Sequence, residues 1–156
     1  MSVDKARNYL KQWHRDTDII EITGSTATSV LAAEALGVDL GRIAKSMTIK
    51  KDNSGLLLIT SGDSKIDNKK FKSVFGFTPR MLNADSAFNL IGYRVGGICP
   101  FDIPESVKVY LDITLKRYKS IYPACGSSNS MIQLTIDELE TYSKFSAWVD
   151  VCIIPE

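Results

Sequence analysis

The 156-residue sequence contains little histidine and little cysteine, and this scarcity limits the active sites that it can form. His14 is the only histidine, while Cys99, Cys125 and Cys152 lie far apart and form no CxxC pair. Zinc sites and Ser-His-Asp triads usually depend on imidazole groups close to other ligands or to a nucleophile. We therefore predict neither a metal site nor a histidine-based triad. An odd number of widely separated cysteines also favours reduced thiols over a disulfide framework.

Long hydrophobic runs and an excess of charge are lacking as well. The longest apolar runs, such as residues 55–59, are far shorter than the roughly 20 residues that cross a bilayer, and the N-terminus lacks the pattern of a signal peptide. We therefore expect a cytoplasmic protein with no membrane partner. The chain has 19 basic and 18 acidic side chains, a net charge of +1. No overall field attracts nucleic acid, so any RNA contact must be local.

The composition that remains is that of an ordinary globular domain, with 44% hydrophobic and 24% charged residues. We predict one domain over residues 1–156 that begins with an amphipathic helix at about residues 3–15. Residues 43–50 and 55–60 read as two strands of a hairpin, because a turn-rich segment joins them. Helices and strands interleave irregularly after the hairpin. This order favours an α/β (α+β) fold in which helices surround a mixed, mainly antiparallel sheet.

Capping residues and short β-branched runs predict the remaining elements. Thr28 or Ser29 can cap a helix that ends at Gly37, and Asp67 can cap another. Asn83 or Asp85 can cap a third, and Thr135 with Glu138 has the form of a capping box. Helices are expected at residues 30–36, 67–75, 83–93 and 135–144, and strands at residues 18–22, 107–111, 120–124, 131–134 and 148–153.

The first hairpin strand carries a lysine among apolar residues. Strand alternation places Lys45 on the same face as Met47 and Ile49, with Ser46 on the opposite face. A partly buried ammonium group can orient or polarise a substrate carbonyl. A lysine at the start of a strand can equally extend its ammonium group to water. The pattern alone leaves both interpretations open.

The loop from Gly96 to Pro100 is a second candidate site. Its paired glycines, Gly96 and Gly97, permit close approach to a ligand, and its backbone N–H groups could stabilise negative charge on a carbonyl oxygen. The same pair could form only a helix-ending turn. Cys99 and Cys125 could act as nucleophiles, but neither has an imidazole nearby in sequence, which favours core or loop thiols.

Two polar segments could contact a larger substrate. The loop at residues 124–130 offers hydroxyl groups that could bind a ribose, although an ordinary polar hairpin loop explains it equally well. Lys65, Lys69 and Lys72 recur at helical spacing and could contact RNA phosphates. Such a lysine stripe is more commonly a solvated helix face.

Several short motifs follow one another along the chain. They are Thr28-Ser29, Ala32-Ala-Glu-Ala-Leu-Gly37, Ile43-Ala-Lys-Ser46, Gly62-Asp63 with Asp67, Gly96-Gly-Ile-Cys-Pro100 and Gly126-Ser127. The motifs are weak individually, but their order and spacing together resemble the YbaK/ProX family of aminoacyl-tRNA deacylases over roughly residues 18–152. The resemblance implies a mixed α/β fold without metal or cofactor, and a site that hydrolyses the ester between a wrong amino acid and tRNA.

The resemblance also implies roles for individual residues. Lys45 matches the family's key lysine and would hold the substrate, while the amides of Gly97 and Ile98 would stabilise the developing oxyanion. Water would be the nucleophile, activated with the help of a ribose hydroxyl of the tRNA. The expected RNA contacts, Lys65, Lys69 and Lys72, rest on their spacing and not on the resemblance. The residues expected to bind the substrate are Thr28, Gly96, Cys99, Pro100, Gly126, Ser127 and Ser128.

The predicted function is trans-editing of mischarged tRNA, with a small amino acid such as alanine on tRNA for proline as substrate and prolyl-tRNA synthetase as a candidate partner. Editing is needed because a synthetase pocket cannot strongly exclude a slightly smaller amino acid by binding alone. One missing methylene changes the binding free energy by only about 1–3 kcal/mol. One alternative is a non-catalytic adaptor that binds tRNA or a synthetase. Another is a small-ester hydrolase, which the weak overall basicity would suit. Salt-dependent binding to tRNA would favour the deacylase.

Overall fold

The computed structural model describes residues 2–155, and within them it contains five α-helices and ten short β-strands. The helices are α1 (Ser2–Leu10), α2 (Ser29–Leu36), α3 (Asn68–Phe75), α4 (Ala84–Ile91) and α5 (Ile136–Ser143). The strands are β1 (Ile20–Glu21), β2 (Ile43–Lys51), β3 (Ser54–Ser61), β4 (Lys65–Ile66), β5 (Val109–Asp112), β6 (Ser120–Pro123), β7 (Ser130–Met131), β8 (Leu134–Thr135), β9 (Ala147–Val149) and β10 (Cys152–Ile153). Short 3-10 turns lie at Lys11–Trp13, Asp16–Asp18, Leu40–Arg42 and Ile113–Arg117.

The main sheet has six strands in the order β8-β6-β2-β3-β5-β9. Its centre is the predicted hairpin of β2 and β3, which pair antiparallel, and β6 and β8 also pair antiparallel. The pairs β2–β6, β3–β5 and β5–β9 are parallel. Two separate antiparallel pairs, β1–β7 and β4–β10, complete the strands within residues 2–155. Antiparallel pairs therefore predominate slightly, and the predicted mixed, mainly antiparallel α/β fold is confirmed.

The hairpin strand β3 is buried on both faces because helices cover both sides of the sheet. Leu57 and Ile59 belong to the larger core cluster. Leu56 and Leu58 face the opposite side and pack in a second cluster with Phe71 of α3. Burial of each such side chain contributes roughly 1.5–3 kcal/mol, so this strand fixes the position of its partner β2.

Four of the helices begin at residues that the sequence predicts as caps, although α4 ends at Ile91, before its predicted end at residue 93. The Thr28 hydroxyl caps α2 by accepting from the Leu31 N–H, and Gly37 ends that helix with φ of +68°. Asp67 caps α3 and Asn83 caps α4 in the same way. Thr135 forms a complete capping box at α5. These caps are local signals, which explains why they could be predicted.

The N-terminal helix predicted at residues 3–15 corresponds to α1, which ends at Leu10 and is followed by a 3-10 turn at Lys11–Trp13. Ala6 and Leu10 are fully buried, and the Trp13 ring stacks on that of Tyr142 with centroids 4.3 Å apart. No helix within residues 2–155 is long and apolar enough to span a bilayer.

Two predicted strands are wrong as continuous elements. Residues 131–134 divide between β7 and β8, which pair with β1 and β6. Residues 148–153 divide between β9 and β10, which pair with β5 and β4. In the second case the Val151 N–H donates to the Asp112 carboxylate at 2.9 Å instead of to a strand. The apolar runs change partners where the sheets diverge, and no local signal marks that point.

Candidate active site

The candidate site is a pocket at the outer edge of β2, in a gap between two neighbouring segments. On this edge β6 pairs with only Ile43 and Ala44. Further along β2, the segment that follows α3 forms a hydrogen bond to the strand: the Leu82 N–H donates to the Thr48 carbonyl at 3.0 Å. Between these contacts lies a pocket of about 330 Å³. Its lining comes from residues 26–29, 32, 43–48, 81–82, 95–96, 98, 122, 124 and 130–131.

Lys45 and Ser46 approach this pocket from opposite faces of β2. They are adjacent in the strand and pair with Thr60 and Ile59 of β3, so their side chains alternate. Because the pocket wraps around the strand edge, both residues line it. The pocket therefore borders the part of β2 that β6 does not cover.

The Lys45 side chain is half-buried. Its Nζ donates to the Ser64 carbonyl oxygen at 2.5 Å. Burial lowers the pKa of Lys45, and the nearby Cys152 and Asp63 oppose that shift. Lys45 is thus a half-buried lysine in the pocket lining, and a lysine in such a place is suited to binding a carbonyl oxygen or developing negative charge.

An ion pair braces the turn that anchors Lys45. The two terminal nitrogens of Arg117 donate to the Asp63 carboxylate at 3.1 and 2.6 Å, and the Ser61 hydroxyl donates to it at 2.7 Å. Burial would raise the pKa of the Asp63 carboxyl, but these hydrogen bonds lower it below its ordinary value. Asp63 is therefore held as an ionised partner of Arg117 and is poorly suited to act as a general base. Its turn presents the Ser64 carbonyl to Lys45.

The Ser46 hydroxyl is the unexpected polar group of the pocket. Its oxygen is buried and, within residues 2–155, it is the one buried side-chain oxygen or nitrogen without a hydrogen-bond partner. Such groups are uncommon because an unsatisfied buried polar atom costs about 1–3 kcal/mol. Sequence analysis placed Ser46 on the face opposite Lys45 but gave no reason to select it, since one serine in a strand carries no distinctive signal.

The predicted glycine loop forms part of the opposite wall. Gly96 and Ile98 line the pocket. The Gly97 N–H, however, donates to the Arg94 carbonyl at 2.9 Å. That amide is occupied within the loop, so the expectation that Gly97 donates to an oxyanion is corrected to a packing role. Ile98 stays the predicted backbone donor.

Gly97 packs directly against the loop that contains Gly126. A Cβ atom at Gly97 would lie 2.5 Å from the Gly126 carbonyl carbon and 2.6 Å from the Ser127 nitrogen. The contact is with backbone, which cannot rotate away. This close approach explains why glycine is required here.

We predict that Gly97→Ala lowers the free energy of unfolding by about 1–3 kcal/mol, because overpacking a tight contact forces the backbone to shift. Urea denaturation followed by circular dichroism measures the change. Gly24→Ala is the control, since Gly24 has a φ of +96° but a Cβ atom there would meet nothing within 4 Å. The Gly24→Ala variant reports backbone strain alone, so its free energy of unfolding should fall less than that of Gly97→Ala. Equal stability of Gly97→Ala and the wild type would contradict the tight contact.

Cys99 and Pro100 lie away from the pocket wall. Cys99 is fully buried in the main core, and Pro100 borders a separate depression beside Tyr9. Burial raises the pKa of the Cys99 thiol to about 12 and raises that of Cys125 well above its ordinary value. Both thiols are therefore neutral, as expected for core cysteines. The expectation that Cys99 and Pro100 bind the substrate is corrected, because neither reaches the pocket.

The loop at Gly126, Ser127 and Ser128 supports the pocket from behind. The Ser127 hydroxyl donates to the hydroxyl of Ser130 at 2.6 Å. The Ser128 carbonyl accepts from the Thr26 N–H at 2.5 Å and from the Thr26 hydroxyl at 3.0 Å. Ser130 and Thr26 line the pocket, whereas the three predicted residues do not. The structure therefore gives this loop a positioning role.

The other predicted contacts differ in their relation to the pocket. Thr28 lines it, although its hydroxyl is engaged as the cap of α2. Lys65, Lys69 and Lys72 are exposed on β4 and α3, and none of them lines the pocket. Their contact with RNA stays a prediction.

Exposed apolar side chains surround the mouth of the pocket. Met81 and Val95 line it and are 55% and 64% exposed. Val30 and Leu31, in the first turn of α2 beside the lining residue Ser29, are 53% and 43% exposed. An apolar rim of this kind can contact an aromatic base or another flat apolar group. Sequence analysis missed these residues because they are scattered along the chain.

Comparison with known proteins identifies the family. Residues 23–142 match the profile of the aminoacyl-tRNA editing domain. The chain belongs to this family. The predicted YbaK/ProX-type resemblance is thereby confirmed, and both Lys45 and the Gly96–Ile98 wall of the editing domain lie inside the matched region.

Individual relatives extend this picture. The chain is 44% identical over 153 residues to the uncharacterized protein YwhH of Bacillus subtilis (strain 168). The matched region covers 97% of this chain and 98% of YwhH. The chain is also 30% identical over 109 residues to proline–tRNA ligase of Halalkalibacterium halodurans. This matched region covers 69% of this chain and 19% of the ligase. The chain thus corresponds to about a fifth of the ligase.

A solved structure supports the fold. The structure of a proposed trans-editing enzyme for prolyl tRNA synthetase superimposes with a TM-score of 0.85 over 96% of both chains, at 24% identity. At this identity the likeness establishes the architecture of the editing domain.

Proposed function

We propose that this protein is a trans-editing deacylase that hydrolyses the ester of mischarged aminoacyl-tRNA. One observation carries the proposal: the half-buried Lys45 lines a pocket at the edge of β2, in a chain of the aminoacyl-tRNA editing family. Hydrolysis of an ester requires stabilisation of the oxyanion that forms on the carbonyl oxygen. A cation held in a poorly solvated pocket supplies that stabilisation.

The reaction proceeds with water as the nucleophile. Lys45 orients the ester carbonyl, and the oxygen of water forms a bond to the carbonyl carbon while negative charge develops on the carbonyl oxygen. Lys45 and the Ile98 amide stabilise that charge. The intermediate then breaks the bond to the ribose oxygen, which leaves with the proton that water gives up. The products are the free amino acid and the ribose hydroxyl of tRNA.

The group that assists removal of the proton from water is assigned by resemblance to the editing family. Within residues 2–155, no carboxylate or imidazole side chain lines the pocket. Asp63, whose charge acts on Lys45, is engaged with Arg117. By the family resemblance, the adjacent ribose hydroxyl of the substrate assists removal of the proton, and the pocket lining is compatible with that assignment.

The proposed substrate is a small amino acid, such as alanine, on tRNA for proline. The similarity to proline–tRNA ligase of H. halodurans supports the choice of tRNA. The pocket volume of about 330 Å³ suits a compact acyl group together with part of the terminal ribose. A prolyl-tRNA synthetase that releases Ala-tRNA would supply this substrate.

Release of labelled alanine from Ala-tRNA specific for proline tests the function. We expect multiple turnovers on this substrate and much slower release of proline from the correctly charged tRNA. A panel of other mischarged tRNAs establishes the amino acid range, and alanine methyl ester tests hydrolysis of a small ester. Salt-dependent tRNA binding without hydrolysis of any substrate in the panel would support the adaptor instead. Turnover of the methyl ester alone would support the small-ester hydrolase.

A further inference from the structure

A second depression adjoins the pocket and carries two basic side chains. It has a volume of about 520 Å³, and its lining includes Lys50, Asp52 and Arg80. Met81 and Leu82 line both this depression and the candidate active site. The two concave surfaces therefore share a wall, and a ligand longer than an aminoacyl group can pass from one to the other.

The backbone fixes the two basic residues side by side. The Lys50 N–H donates to the Arg80 carbonyl at 2.8 Å, next to the bond that joins Leu82 to Thr48. This pairing places both residues at the end of β2 that is further from β6. Their positions thus depend on the same strand edge that carries Lys45.

Both side chains are exposed and available to a ligand. Within residues 2–155, neither the Lys50 ammonium nor the Arg80 guanidinium makes an ion pair or a side-chain hydrogen bond. Asp52, in the tight turn between β2 and β3, is the one acidic residue among those that line the depression. The depression is therefore locally basic in a chain whose net charge is only +1.

We propose that the depression lined by Lys50 and Arg80 binds a phosphodiester of the RNA strand just before the terminal adenosine. This inference rests on the proposed function. When the ester lies in the pocket beside Lys45, the strand must continue over a neighbouring surface, and this depression shares a wall with the pocket. A guanidinium group donates to two phosphate oxygens at once, and an ammonium group adds charge. The exposed Met81 between the two surfaces offers a contact for a base.

The lysines of α3 are the rival location for this contact. Lys69 and Lys72 are exposed, but they line neither the pocket nor the adjoining depression. The two locations can be separated because each offers two positive charges. Replacing either pair with alanine removes the same net charge.

Three double variants test the proposal by steady-state kinetics on Ala-tRNA for proline. Lys50→Ala/Arg80→Ala is expected to raise KM about tenfold with kcat unchanged, and to reduce the slope of log(kcat/KM) against log salt by about 0.7 for each lost phosphate contact. Lys11→Ala/Lys119→Ala removes two exposed basic residues elsewhere and should leave both values unchanged. A larger effect of Lys69→Ala/Lys72→Ala than of Lys50→Ala/Arg80→Ala would overturn the proposal.

Binding of an uncharged RNA oligonucleotide that ends in CCA separates this inference from the proposed function. Fluorescence anisotropy should show about tenfold weaker binding by Lys50→Ala/Arg80→Ala than by the wild type, whether or not the protein deacylates any substrate. Circular dichroism checks that all variants are folded. Equal oligonucleotide binding by the wild type and Lys50→Ala/Arg80→Ala would overturn the phosphate site, even when the wild type deacylates Ala-tRNA.

Discussion

Lys45→Ala is expected to lower kcat/KM for deacylation of Ala-tRNA by about 10²–10³-fold, the range seen when one oxyanion-stabilising group is removed. The variant loses the cation at the pocket and a single hydrogen bond, from Nζ to the Ser64 carbonyl. The fold should persist, because β2 is held by its pairing with β3 along eight residue pairs. Initial rates of alanine release from labelled Ala-tRNA measure the effect.

Two further substitutions separate charge from shape. Lys45→Met keeps an unbranched apolar stem of similar length and should be as inactive as Lys45→Ala. Lys119→Ala, a change at an exposed lysine elsewhere, should retain wild-type activity. A Lys45→Met variant that retained wild-type activity would show that the ammonium group takes no part in the reaction.

The pH dependence gives an independent test of Lys45. Its ammonium is the form that stabilises the oxyanion, and burial lowers the pKa of this group below 10.5. As pH rises through this lowered pKa, the cation is lost, so the advantage of the wild type over Lys45→Met should decrease at alkaline pH. The spontaneous hydrolysis of Ala-tRNA, measured at each pH, is subtracted from both rates.

The sequence predicts the parts of the site that depend on local signals. The β2–β3 hairpin follows from alternation and a turn, and its register pairs Lys45 with Thr60. The cap at Thr28 follows from one hydroxyl before a helical run, and it fixes the turn of α2 that lines the pocket. Of the predicted glycine loop, Gly96 and Ile98 line the pocket, whereas Gly97 packs against Gly126 and its N–H donates to Arg94.

Interactions between distant segments could not be predicted. Arg117 lies 54 residues from Asp63, and their ion pair depends on how β5 and the following 3-10 turn pack beside β3. The basic depression depends on the pairing of Lys50 with Arg80, which are on different segments. Sequence analysis instead selected Lys69 and Lys72, because helical spacing is visible in a single chain whereas proximity across segments is not.

Ser46→Ala is expected to stabilise the protein while reducing its activity. The Ser46 oxygen is buried and has no partner in the described chain, so its removal should raise the free energy of unfolding by about 1 kcal/mol. Ser46 lines the pocket, and an acyl group that reached its hydroxyl would supply the missing hydrogen bond. Loss of that bond should lower kcat/KM about tenfold, the equivalent of about 1.4 kcal/mol.

The opposite signs of these two effects distinguish a ligand-binding hydroxyl from a structural one. Urea denaturation without substrate and deacylation kinetics measure them on the same samples. Ser143→Ala is the matched control, because Ser143 is 2% exposed on α5 and its hydroxyl donates to the Glu140 carbonyl. That variant should gain no stability and keep its activity. If Ser46→Ala instead lost stability and kept full activity, the hydroxyl would serve the fold and not the substrate.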